Sequence, residues 1–221
     1  MRSNMVIVLS VCMLALPAAA AEYTAFGAGY RLAGIPDFIL DAQFRNHQPI
    51  LAHGLSAEFS MGKKHRHWNF GAAFATLGTP PGFWTFDAVD TKGADAYETW
   101  YVDLDAVGFA SVFASYTWNF ELLDRFYFSP TVGLGVAAVL GDAYMTEALP
   151  GCEDDVSTCA HWNQVTRKAE KFFSPRVGPL VILAAAFSYR FWDATQLSLD
   201  FGFMDLPFVG LSVRQGLPGP E

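Results

Sequence analysis

The stretch Gln196-Leu197-Ser198-Leu199-Asp200-Phe201-Gly202-Phe203 is the plainest structural signal in the chain. Leu197, Leu199, Phe201 and Phe203 are bulky and apolar; Gln196, Ser198, Asp200 and Gly202 are polar or small. Successive side chains of a strand point to opposite faces, so this alternation specifies a strand with one apolar wall and one polar wall.

Seven more runs repeat the pattern. Run 23–32 sets Phe26, Ala28, Tyr30 and Leu32 against Gly27, Gly29 and Arg31. Run 51–61 sets Leu51, Leu55, Ala57, Phe59 and Met61 against Gly54, Ser56, Glu58 and Ser60. Run 68–76 sets Trp68, Phe70, Ala72 and Phe74 against Asn69, Gly71, Ala73 and Ala75. Run 107–118 is less clean, because Phe109 and Phe113 share a parity with Ser111, Ser115 and Thr117. Run 126–140 opposes Val132, Leu134, Val136 and Leu140 to Ser129, Thr131, Gly133 and Gly135. Run 176–190 opposes Val177, Val181, Leu183, Phe187 and Tyr189 to Arg176, Gly178, Ala184, Ala186, Ser188 and Arg190. Run 209–215 opposes Val209, Leu211 and Val213 to Gly210, Ser212 and Arg214.

The connections alternate in length. Long ones at 33–50, 77–106 and 141–172 interleave with short ones at 62–67, 121–125 and 192–195, and the last, 204–208, is short. Membrane barrels have short turns on the periplasmic side and long loops outside. Lipid cannot satisfy backbone N–H and C=O groups, so a sheet in a membrane must close on itself. The expected fold is therefore all-β: an eight-stranded antiparallel up-and-down transmembrane β-barrel over 22–217, with a short tail at 218–221. A barrel of that size is filled by its own side chains. The parity rich in Gly, Ala and Ser is the inward one.

Composition agrees with this reading. Hydrophobic residues make up 52% of the 221, aromatics 15%, and charged residues only 16%, against roughly 25% charged in soluble domains. The net charge of −8 and the lack of a basic stripe argue against nucleic acid as a partner. Lys63-Lys64-His65-Arg66 is too short a cluster to change that. Trp68, Tyr116, Trp118, Phe126, Tyr189 and Phe191 fall beside short turns, with Phe83, Trp84, Trp100 and Tyr101 on the opposite side, as two interfacial girdles require.

At the N-terminus, Arg2 precedes an apolar run over 5–16; Pro17 and Ala18-Ala19-Ala20-Ala21 follow. This is the three-part pattern of a cleaved secretory signal peptide, residues 1–21, and implies export. Cys12 lies inside that run. Cys152 and Cys159 remain in the mature chain, and in an oxidising compartment they are expected to form a disulfide stapling the longest loop. Their spacing lacks the paired ligands of a structural zinc site, so no metal and no cofactor is expected.

Arg31, Glu58, Arg176, Arg190, Asp200 and Arg214 all fall on the inward parity. Buried charges must pair, so an interior ion-pair network around Glu58 and Asp200 is expected, with Arg31, Arg176 and Arg214 as partners. The nearest catalytic constellation is His53, Ser56 and Glu58, but alternation puts His53 on the face opposite the other two. His47, His65, His67 and His161 fall in connections and are expected to be solvated. The acidic loops, with Asp87, Asp90, Asp95 and Glu98 in one and Asp142, Glu147, Glu153, Asp154 and Asp155 in another, are expected to present solvated carboxylates. The apolar residues Phe38, Ile39 and Leu40 suggest a short amphipathic helix over the barrel mouth.

The chain resembles the small eight-stranded outer-membrane barrels of the OmpA/OmpX type over most of 22–215; the likeness is one of architecture. A narrower resemblance, to outer-membrane barrel proteins of myxobacterial type, rests on Ile35-Pro36-Asp37-Phe38-Ile39-Leu40-Asp41, Gly133-Leu134-Gly135-Val136 and Leu140-Gly141-Asp142. The resemblance implies a bacterial outer-membrane location, outer-membrane lipids and lipopolysaccharide as neighbours, the barrel-assembly machinery as a transient partner, and a monomer. Such barrels end on an aromatic residue, whereas this chain ends Leu217-Pro218-Gly219-Pro220-Glu221. A structural or surface-interaction role is the leading expectation. A lipid A or phospholipid-modifying enzyme and a carrier for a small apolar molecule are the alternatives.

Overall fold

The structure, a computed structural model, describes residues 22–87, 97–147, 170–171, 176–192 and 194–217. The signal segment, the Cys152–Cys159 disulfide, His161 and the tail at 218–221 lie outside the described residues. The elements in chain order are β1 (Tyr23–Ile35), α1 (Asp37–Leu40), β2 (Phe44–Asn46), β3 (Ile50–Lys63), β4 (Arg66–Leu77), β5 (Gly82–Asp87), β6 (Tyr97–Trp118), β7 (Phe120–Leu123), β8 (Phe126–Glu147), β9 (Glu170–Lys171), β10 (Val177–Trp192), β11 (Thr195–Met204) and β12 (Leu206–Gly216).

Eight of these strands close a ring in the order β1-β3-β4-β6-β8-β10-β11-β12, every neighbouring pair antiparallel. Each of the eight alternating runs is one ring strand, and the fold is the expected closed barrel. The large apolar side chains face outward: Leu55 is 65% exposed, Leu134 68% and Leu211 56%. The opposite parity is closed off, with Ser60, Asn69, Ser115, Ser188 and Ser198 all buried. This inverts the arrangement of a soluble protein. No helix among the described residues is long and apolar enough to cross a membrane; strands would do the crossing.

The register explains how the interior fills. Gly27 of β1 faces Glu58 on one side and Arg214 on the other; two positions along, Gly29 faces Ser56 and Ser212. Arg31, two further on, is flanked by Gly54 and Gly210. Large side chains thus stand beside glycines of the adjoining strands. A Cβ on Gly210 would lie 2.9 Å from the Arg31 Cγ. Phe113, the aromatic that blurs the alternation of its run, obeys the same rule between Gly71 and Gly135. With Leu180 and Ile182 it forms a small apolar core inside the barrel.

The ring strands near the mouth are longer than the alternation indicates. β6 and β8 each have 22 residues and stay paired as far as Trp100 and Glu147. About 9–11 tilted residues cross a bilayer, so the upper half of each strand stands clear of it. An irregularity between Asp105 and Gly108, with Ala106 at φ 50° and Gly141 at φ 81°, separates the two halves. Beyond it β5 pairs with β6 and β2 with β5. The connections 77–106 and 141–172 are therefore partly strand. Alternation is weak there because neither face has to meet lipid.

At the other end the turns are tight. β7 pairs with β8 beyond the end of the β6–β8 ladder, leaving a turn at Asp124-Arg125, with Arg125 at φ 65°. The rim at the mouth is uneven. The β11–β12 hairpin closes through Asp205 alone, at φ 62°. Next to it β10 runs five residues past its last partner on β11, from Ile182 to Val177.

The girdle beside the short turns is placed as expected; the expected second girdle of Phe83, Trp84, Trp100 and Tyr101 stands instead on the β5–β6 extension above the ring. Trp68 packs on Tyr116 at 5.1 Å, Tyr116 on Trp118 at 4.8 Å, and Tyr189 on Phe191 at 4.9 Å, all on the outer wall beside short turns. Across the barrel, Phe83 packs on Tyr101 at 5.1 Å. Trp84, however, is only 8% exposed, with Phe44 and His47 against it, because β2 and β5 build a layer of their own above the ring.

Candidate functional site

The interior of the barrel holds the polar chemistry, and it is layered. Nearest the short turns is a ladder of neutral groups. Ser60 Oγ donates to Asn69 Oδ1 at 2.7 Å, and Asn69 Nδ2 donates to Thr117 Oγ1 at 2.8 Å and to Ser115 Oγ at 3.2 Å. The Thr117 and Thr131 hydroxyls meet at 2.7 Å. Asn119 closes this end, accepting from Ser129 at 2.9 Å and donating to the Lys64 carbonyl at 2.8 Å. Asn69 therefore joins β3, β4 and β6 through one amide. Asn69→Leu is expected to leave the Ser60, Ser115 and Thr117 hydroxyls without that partner and to cost about 1–3 kcal/mol, read as a lower urea midpoint for the barrel in micelles.

The charged layer centres on Glu58. Its Oε1 accepts from Arg31 Nη2 at 3.2 Å, and its Oε2 lies 3.6 Å from Arg214 Nη2; all three side chains are about one-sixth exposed. Arg214 also reaches His67 Nε2 at 3.4 Å. Asp200 lies in the same layer, with Ser212, Glu58, Arg31 and Arg214 near enough to act on it electrostatically.

Two of the six charged residues stand elsewhere. Arg176 is half exposed at the mouth and pairs with Asp142, because β8 continues past its expected end and brings that carboxylate beside the start of β10. Arg190 lies over the Tyr127 ring, 4.6 Å from its centroid, where an aromatic face supplies the counter-charge.

The histidines also require correction. His67 is fully buried on β4, with the Tyr23 ring 5.3 Å away, rather than solvated in a turn. Its signal was available: His67 shares the parity of Asn69, Gly71 and Ala73. His47 bonds Asp41 at 3.0 Å. His53 faces outward and takes a 2.6 Å hydrogen bond with the Tyr30 hydroxyl, while Ser56 and Glu58 face the lumen. The sheet itself separates them, so His53, Ser56 and Glu58 form no catalytic unit. The helix α1 is present; it buries Leu40 and leaves Phe38 72% exposed.

Above the charged layer the lumen opens into a cavity of about 60 Å³, bounded by Arg31, Ala52, Ala73, Ala75, Phe109 and Met204. It lies beside the low β11–β12 hairpin. Asp205, on that turn, also borders it, and partial burial raises its carboxyl above the usual carboxylate range.

No family model matches the chain, and no curated protein matches it. Among solved structures it is similar to the attachment invasion locus protein Ail of Yersinia pestis in complex with sucrose octasulfate. The identity there is 9%, over 88% of this chain and 95% of Ail, with a TM-score of 0.39. It is similar to Neisserial surface protein A at 8% identity, over 87% of this chain and 96% of that one, with a TM-score of 0.41. It is also similar to the translocator domain of the autotransporter NalP from Neisseria meningitidis, at 9% identity over 97% and 95% of the two chains, with a TM-score of 0.32.

Proposed function

We propose that the mature chain is a monomeric bacterial outer-membrane protein with a structural or surface-interaction role, working through what it presents beyond the membrane. The observation that carries this reading is the pairing of an apolar outer wall with an extension of β2, β5, β6 and β8 on the long-loop side. The wall commits the ring to lipid. The extension commits about half of the two longest strands to water outside it. Both ends of the described chain, at β1 and β12, lie on the short-turn side, so the extension faces away from the compartment of export. Lipopolysaccharide and phospholipid are its surroundings, and the barrel-assembly machinery inserts it. A loop stapled by Cys152 and Cys159 and acidic outer loops belong to the same proposal. Separation of His53 from Ser56 and Glu58 weighs against the lipid-modifying alternative.

The test is refolding of the mature chain into phospholipid bilayers. Unboiled protein is expected to migrate apart from boiled protein on a gel. Protease added outside whole cells is expected to cut the long connections and spare the short turns. A mature chain that stays monomeric in buffer without detergent would end this reading.

A further inference from the structure

Arg31 is poorly satisfied for a buried guanidinium. Among the described residues its Nη2 donates to Glu58 at 3.2 Å, its Nη1 meets only the Met204 thioether at 2.8 Å, and its Nε has no hydrogen-bond partner. The Phe208 ring lies 4.9 Å from its Cζ. A thioether is a weak acceptor, and a guanidinium favours a carboxylate that can take two N–H bonds in one plane. Arg31 and Met204 both border the upper cavity, whose remaining wall is nearly all carbon, from Ala52, Ala73, Ala75 and Phe109. A cationic fork beside an apolar wall is complementary to an acid with a short hydrocarbon tail.

Size and access narrow the ligand. A cavity of about 60 Å³ holds about four to six water-sized groups at roughly 10–15 Å³ each. The β11–β12 hairpin ends at Asp205 while β10 stands higher beside it, so the rim is low where the cavity meets it.

We propose that the upper lumen is a binding site for short-chain aliphatic monocarboxylates of about three or four carbons, whose heavy atoms with both oxygens match that space. The carboxylate takes the Arg31 Nη1 N–H now left to Met204, and the tail lies against the alanine wall. Met204, unbranched and flexible, moves aside. The site is independent of the surface role above, and neither reading needs the other.

The experiment uses the full mature chain refolded in lipid nanodiscs, with the Met204 methyl group observed by NMR. Sodium butanoate is expected to shift that signal saturably. Butanol and acetate are expected to bind at least tenfold more weakly, since one lacks the charge and the other the tail. Arg31→Gln should lose at least tenfold in butanoate affinity. Ala52→Leu fills the cavity from β3 without touching the charged layer, so it tests the site even if Arg31→Gln does not fold; it should lose as much. Asp205→Asn removes a carboxylate from the rim and should tighten binding. Absence of a saturable butanoate shift would overturn the proposal. So would equal binding of butanol, or undiminished binding by both Arg31→Gln and Ala52→Leu. Migration of the unboiled band reports on the barrel separately.

Discussion

Glu58→Ala is expected to lower the stability of the refolded barrel by about 3 kcal/mol, the low end of the range for removing one partner of a buried ion pair. Glu58 sits between Arg31 at 3.2 Å and Arg214 at 3.6 Å, and both guanidinium groups are largely enclosed. Without the carboxylate the Arg31 and Arg214 guanidinium groups lose the anion they share, with only Asp200 left to balance them. The measurement is urea unfolding in detergent micelles, followed by the gel shift of the folded band. Asp200→Leu should cost less, because its loss leaves both arginines bound to Glu58. Exchange of Glu58, Arg31 and Arg214 together for apolar residues of similar volume should restore much of the loss, since a buried ion pair rarely outperforms good packing. An unchanged midpoint for Glu58→Ala would mean that lumenal water already solvates the arginines.

A second large effect concerns the glycines beside Phe113. A Cβ on Gly71 would fall 2.5 Å from the Phe113 Cζ and 2.9 Å from the Ala57 carbonyl oxygen. A Cβ on Gly135 would fall 2.3 Å from the Val112 carbonyl oxygen and 2.8 Å from the Phe113 Cβ. Both Gly→Ala changes should destabilise by about 2–3 kcal/mol through overpacking, but for different reasons. At Gly71 the closest obstacle is the far end of a ring; at Gly135 it is backbone. Phe113→Ala costs about 3–5 kcal/mol on its own. Combined with Gly71→Ala it should show a favourable coupling of about 1 kcal/mol or more, because the clash and the cavity offset each other. Combined with Gly135→Ala it should show almost none. Urea midpoints of the five single and double variants give the two coupling energies; equal values would mean that the β4 and β8 walls yield alike.

The expected strand pattern matches the ring because lipid and backbone chemistry leave little freedom. Every backbone polar group in a bilayer must be paired within the sheet, and the strand period then assigns each side chain to lipid or to lumen. Leu197, Leu199, Phe201 and Phe203 could be placed outside, and Asp200 inside, from eight consecutive letters. His53 could be separated from Ser56 and Glu58 by counting parity. Above the membrane neither face meets lipid, so the upper parts of β6 and β8 carry no alternation to mark them, and Trp84 has the sequence signature of a girdle residue. Parity says that a charge enters the lumen, but not which charge it meets there. Glu58 and Arg214 are 156 positions apart by their numbers and meet only because both flank Gly27. Arg176 found Asp142 instead, and Arg190 found the ring of Tyr127, because cross-lumen partners are set by the stagger of the closed sheet. That stagger is a property of all eight strands at once, and no single segment encodes it.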